Sequence, residues 1–113
     1  MNLKGFNKNI LLSNNNLNNI QIRTGTKIIT GTGLRYLVLF TLSDLQKMFN
    51  VNDPSVTKYV IYAYNGDDSA LGQIDNGVAF TKGSSSWLIW FSQAIPSGKN
   101  VRINYLILFN PNS

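Results

Sequence analysis

The sequence of 113 residues predicts an all-β fold: a jelly-roll-like antiparallel β-sandwich of about seven to eight strands, with one short helix near residues 43–49. Three observations predict it. Short apolar runs rich in Ile, Val, Thr, Tyr and Phe recur along the chain, as a pleated surface favours. Clusters of Gly, Asn, Asp, Ser and Pro separate those runs. Only one stretch repeats its apolar residues at helical spacing. The length suits a single domain spanning residues 1–113, with one core.

In chain order, the candidate strands are Leu3–Leu12, Asn19–Thr30, Leu34–Thr41, Thr57–Tyr64, Gly77–Thr81, Ser86–Ser92 and Asn100–Asn110. The tract from Asn14 to Asn19 reads as a loop. Expected turns are Gly31-Thr32-Gly33, Asn65-Gly66-Asp67-Asp68, Asp75-Asn76-Gly77, Lys82-Gly83-Ser84 and Pro96-Ser97-Gly98. Gly31-Thr32-Gly33 has a fragment of a phosphate loop, but no Gly-Lys-Ser/Thr follows and no helix opens after it. A hairpin turn is the expectation there. The helix places Leu45, Met48 and Phe49 on one face. Ser43 with Gln46 has the capping-box form, Asp44 suits the positive end of the helix dipole, and Asn50 and Asp53-Pro54 stop it. Two turns suffice to plug one open end of a sandwich.

Composition narrows the chemistry. The chain has ten Lys plus Arg, five acidic residues that are all Asp, and no His or Cys. A Ser-His-Asp or Cys-His centre, or a zinc site of Cys and His, cannot be built from it alone. No enzyme, metal or cofactor is expected. Charged residues make up 13%, about half the usual ~25%. Sixteen Asn fill part of that gap, giving a neutral surface rich in hydrogen-bonding groups. The net charge is +5, but no two cations are adjacent. That argues for a general attraction to anionic surfaces and against a nucleic-acid groove, which needs several simultaneous phosphate contacts. No run approaches the ~18 apolar residues of a membrane span. Only Ile10-Leu11-Leu12 follow Lys4 and Lys8, too short for a signal core, so synthesis in the cytoplasm without a signal peptide is expected.

The strand faces carry the most information. On the last strand Val101, Ile103, Tyr105, Ile107 and Phe109 form the expected core stripe, yet Leu106 and Leu108 lie on its other face. The same mixture recurs elsewhere. Leu34, Tyr36, Val38 and Phe40 oppose Arg35, Leu37 and Leu39. Tyr59, Ile61 and Ala63 oppose Val60, Tyr62 and Tyr64, and Trp87, Ile89 and Phe91 oppose Leu88 and Trp90. A solitary sandwich should be polar outside. The expectation is a homo-oligomer whose interface uses Leu37, Leu39, Val60, Leu88, Leu106 and Leu108.

Trp90, Tyr62 and Tyr64, with Asn65, Asp67 and Asp68, are candidate ligand contacts. Sugars stack their C–H faces on exposed rings while amides and carboxylates take the hydroxyls. Calcium binding by the same Asp residues lacks an EF-hand spacing, and adjacent carboxylates in one turn are poorly placed as a glycosidase pair. Aromatics near basic residues also suit single-stranded nucleic acid. The strand order through residue 64 matches an OB-fold, but three strands follow it.

The stretch from Tyr64-Asn65-Gly66-Asp67 through Val101-Arg102-Ile103-Asn104-Tyr105-Leu106-Ile107-Leu108-Phe109-Asn110 resembles the distal, C-terminal domains of bacteriophage tail fibres and related virion appendages. Those domains often finish on an Arg-x-Asn-aromatic strand. The resemblance implies a compact sandwich, assembled as a trimer, that holds a host cell-surface glycan or stabilises the particle beside other virion proteins. The leading expectation is such a non-enzymatic appendage domain. A freestanding lectin-like module and a small single-strand nucleic-acid-binding protein are the alternatives.

Overall fold

Val101, Ile103, Ile107 and Phe109 are buried along one face of the last strand, and half-buried Tyr105 completes the stripe. The rest of the molecule is arranged around it. A computed structural model describes residues 19–112. It contains β1 (Gln21–Thr30), β2 (Tyr36–Thr41), α1 (Leu42–Phe49), a 3-10 turn (Val56–Lys58), β3 (Tyr59–Asn65), β4 (Ile74–Thr81), β5 (Ser86–Phe91) and β6 (Asn100–Phe109). The candidate strand Leu3–Leu12 lies outside the described residues. The other six expected strands are present, with β4 opening three residues earlier than Gly77.

All pairings are antiparallel, in two three-stranded sheets ordered β1-β6-β3 and β2-β5-β4. The outer pair β1–β6 nests around β2–β5, and every connection except the β4–β5 hairpin crosses between sheets. That wrapping is a jelly roll carried by six strands. Ile29, Leu37, Leu39, Phe40, Tyr59, Trp87, Ile89, Phe91 and Ile95 join the β6 stripe in one core.

Crossovers replace two of the expected turns. Gly31-Thr32-Gly33 does not turn β1 onto β2, because those strands lie in opposite sheets. It zips instead against the β5–β6 crossover: Gly31 and Gly33 amides donate to Lys99 and Ile95 carbonyls at 2.6 and 2.7 Å, and the Gly98 amide returns to Gly31 at 3.1 Å. A Cβ on Gly31 would overlap Ile95 Cγ2 and the Pro96 carbonyl. Asn65-Gly66 likewise starts a crossover, and Asp75-Asn76-Gly77 is an irregularity inside β4, where the register with β5 shifts. Lys82-Gly83-Ser84 is a true hairpin tip, and Pro96-Ser97-Gly98 does turn.

The helix starts without a loop, so its cap comes from the strand before it. Thr41 Oγ1 accepts the Asp44 amide at 3.1 Å while Asp44 Oδ2 accepts the Thr41 amide at 2.9 Å. The capping box is therefore Thr41/Asp44 and not Ser43/Gln46. Asn50 ends the helix in the left-handed conformation (φ 54°), as its small polar side chain allows. Phe49 packs on Tyr59 and Phe109, with ring centroids 6.3 and 5.6 Å away, closing that end of the sandwich.

Asp53 ties α1 to β3. Its carboxylate accepts Lys58 Nζ at 2.8 Å and the Ser55 amide at 2.9 Å, and its carbonyl accepts the Tyr59 hydroxyl at 3.0 Å. The Lys58 hydrogen bond first, then the Ser55 amide, hold this carboxyl below the ordinary aspartate value. Burial, then the Asp53 charge, push the Tyr59 phenol up.

Gly31→Ala forces the crossover zipper apart and should cost about 1–3 kcal/mol in urea denaturation, as overpacking does. The native state holds fewer protons at Asp53 than the unfolded chain, so stability present above the ordinary aspartate pKa should fall as acid titrates the group. At the alkaline end the raised Tyr59 value works in the opposite sense: stability present below the ordinary tyrosine pKa is lost as pH rises through the folded value. Asp53→Asn should flatten the acid limb of a melting-temperature profile.

Candidate functional site

Alternation along β1, β6 and β3 sets the outer face of the first sheet, and the ladder registers align it into rows. Ile22, Leu108 and Val60 form one row; Thr24, Leu106 and Tyr62 the next; Thr26, Asn104 and Tyr64 the third. Beyond β3 the rows continue as Ile28–Arg102 and Thr30–Asn100. The first two rows are apolar apart from Thr24 and, with Leu108 half-buried, open to solvent: Val60 is 57% accessible, Tyr62 61% and Ile22 54%. They lie toward the helix-capped end, beside the Tyr59–Phe109 pair. The later rows are mostly polar, with Ile28 the apolar exception. Thr26 donates to Asn104 Oδ1 at 2.7 Å and Thr30 to Asn100 Oδ1 at 2.9 Å, a ladder of hydroxyls and amides across the strands.

The outer face of the second sheet is smaller. Tyr36 and Trp90 are paired across β2 and β5 with ring centroids 4.9 Å apart, and Val38 sits opposite Leu88. An ion pair between Arg35 and Asp75, at 3.0 Å, flanks them.

The residues expected at an oligomer interface divide between these faces and the core. Val60, Leu106 and Leu108 are on the first sheet's outer face, and Leu88 is on the second's. Leu37 and Leu39 are not on an outer face: both are buried, Leu39 completely. Leu37 pairs with buried Ile89, so plain alternation turns Leu37 and Leu39 inward and Tyr36 and Val38 outward; the bulge between Val38 and Phe40 then brings Phe40 inward as well, opposite Trp87. Tyr36 and Val38, expected inside, are exposed.

The expected ligand contacts divide as well. Tyr62 and Tyr64 lie side by side on the first sheet, ring centroids 5.6 Å apart. Trp90 is on the opposite side of the sandwich, whose layers are separated by ~10 Å, so it shares no site with them. Asn65 is committed to the β3–β4 crossover, its Nδ2 donating to the Gly72 carbonyl at 2.6 Å. Asp67 Oδ1 accepts the Ser69 amide at 2.9 Å, and Asp68 is exposed.

Asp67 also borders a shallow depression of about 270 Å³ lined by Ile28, Asn100, Val101 and Arg102. Periodicity had placed Arg102 off the core face; Ile28 and Asn100 were not legible as its neighbours, because the β1–β6 register cannot be read from either strand alone. A second depression, of about 280 Å³, lies on α1 between Ser43, Gln46, Lys47 and Asn50–Asn52. Among the described residues no three acidic side chains gather, and no helix is long and apolar enough to cross a membrane. No family model, curated protein or solved structure matches the chain.

The inward placement of Leu39 is directly testable. Leu39→Ala should destabilise by about 2–5 kcal/mol in chemical denaturation, the range for truncating a buried leucine.

Proposed function

We propose that this chain is a non-enzymatic structural domain of a virion or other surface appendage, assembled as a homotrimer, that recognises a glycan or polymer on a host cell surface. The carrying observation is the pair of exposed apolar rows, Ile22–Leu108–Val60 and Thr24–Leu106–Tyr62, aligned across three strands of one sheet. Such a face loses water when another copy covers it, and a closed ring of identical copies leaves none of these rows unpaired. Three copies are favoured by the resemblance of residues 64–110 to tail-fibre distal domains. The polar rows and the Tyr62–Tyr64 pair favour glycan recognition, because rings and amides together match the two kinds of sugar surface.

Light scattering at micromolar concentration should give three times the 12.6 kDa chain mass. Leu106→Lys should reduce it to the single-chain mass with an unchanged circular dichroism spectrum, since a lysine among the apolar rows leaves a charge without water. A monomeric wild-type chain would sink the assembly reading. Unfolding of Leu106→Lys would instead place Leu106 among the side chains that hold one chain together.

A further inference from the structure

Among the described residues, cations are almost absent from the strand rows that face outward. Arg35 and Lys58 are paired with Asp75 and Asp53. Arg23 and Lys27 lie over the rings of Phe49 and Phe40, with Lys27 also donating to the Leu39 carbonyl. Lys47, Lys82 and Lys99 are on the helix and the loops. Arg102 alone projects from an outer row of either sheet, and it has no ion-pair partner among the described residues.

Its surroundings are built to present it. Gly66 donates its amide to the Arg102 carbonyl at 2.9 Å, and a Cβ on Gly66 would lie 2.6 Å from Arg102 Cγ. The missing side chain gives the arginine stem its room. On the neighbouring row, Thr30 occupies Asn100 Oδ1 and so leaves the Asn100 NH₂ as a donor. Ile28, 56% accessible, supplies an apolar floor. Asp67 stands on the rim as an acceptor for hydroxyls. Forked guanidinium, amide donor, apolar floor and hydroxyl acceptor together match a sugar ring that carries an acidic group. The depression is smaller than an enclosed ligand pocket of ~300–1,000 Å³, which suits a polymer laid along the surface. Four residue steps along β1 and β6 separate the Thr24–Leu106 row from the Ile28–Arg102 row, roughly 13 Å at strand rise, so the apolar rows and this depression occupy neighbouring but separate parts of one face.

We infer that the depression around Arg102 is the anchoring subsite for an anionic glycopolymer, its carboxylate or phosphate held by the Arg102 guanidinium and the Asn100 amide. The inference rests on the glycan reading above and narrows it to acidic polymers.

Calorimetric titration of the full chain with polygalacturonate, a poly(glycerol phosphate) teichoic polymer, neutral dextran and oligo(dT) tests it. The expected result is binding of one or both acidic glycopolymers and not of dextran; which of the two binds distinguishes a carboxylate from a phosphate ligand. Arg102→Ala should weaken that binding by about tenfold or more, and Arg102→Lys, which keeps the charge but not the fork, by an intermediate factor. Each variant should retain the wild-type spectrum and mass, because Arg102 is exposed. Equal binding of dextran with no effect of Arg102→Ala would overturn the subsite and leave the glycan reading standing. Binding of none of the three glycopolymers would overturn both. Preference for oligo(dT), falling steeply with salt, would replace them with nucleic-acid binding.

Discussion

The middle strand of the first sheet constrains everything else in this molecule. β6 pairs with β1 along its whole length and with β3 from Ile103 to Phe109, so its pleat decides two surfaces at once. The residues it turns inward, Val101, Ile103, Ile107 and Phe109, are buried and fill the core. Those it turns outward, from Asn100 to Leu108, belong to every outer row of the first sheet, and Asn104, Leu106 and Leu108 are the centres of the three-strand rows. A slip of one residue would exchange the two sets, exposing Ile103 and Ile107 while burying Arg102 and Asn104 without partners. Core packing thereby fixes the register of the outer face as firmly as its own.

The crossovers transmit that order to the second sheet. Because β1 and β2 lie in different sheets, the segment between them must run along an end of the sandwich, where its backbone groups would lack partners. The β5–β6 crossover runs beside it and satisfies them reciprocally. Ile95, fully buried between these segments and the core, explains why Gly31 has no side chain. At the other end the Asp53 cluster performs the equivalent task with side chains, bridging α1, the 3-10 turn and β3.

What was legible in the sequence follows the range of the interactions involved. Strand positions, the helix and the β6 core stripe depend on neighbours in the chain, and they were readable from periodicity. Which face of Tyr36–Phe40 turns inward was not, because both faces are apolar, and the burial of Phe40 beside Leu39 comes from a bulge, a property of two paired strands that nothing in Tyr36–Thr41 announces. Asn65-Gly66 carries the composition of a hairpin, yet the β3–β6 pairing draws Gly66 onto the Arg102 backbone and sends the chain across. The aromatic set was legible residue by residue and misleading as a group, since Trp90 and Tyr62 belong to different sheets. Asn100 and Ile28 become neighbours of Arg102 only through the ladder.

The low charge content takes on a structural meaning once the cations are placed. A net charge of +5 on 113 residues suggests a diffuse basic surface, but the described strands use their cations otherwise. Some are neutralised by aspartates, and two have their charges against aromatic faces at the margin of the core, where the ring quadrupole offsets part of the lost hydration. Removing charge from the outer rows allows apolar side chains to sit in register across three strands, which repulsion and desolvation would otherwise oppose. An arginine retained on such a face is costly to cover and inexpensive to leave in water. The same economy of charge therefore leaves apolar side chains in register at one end of the sheet and keeps the forked cation of Arg102 in water at the other.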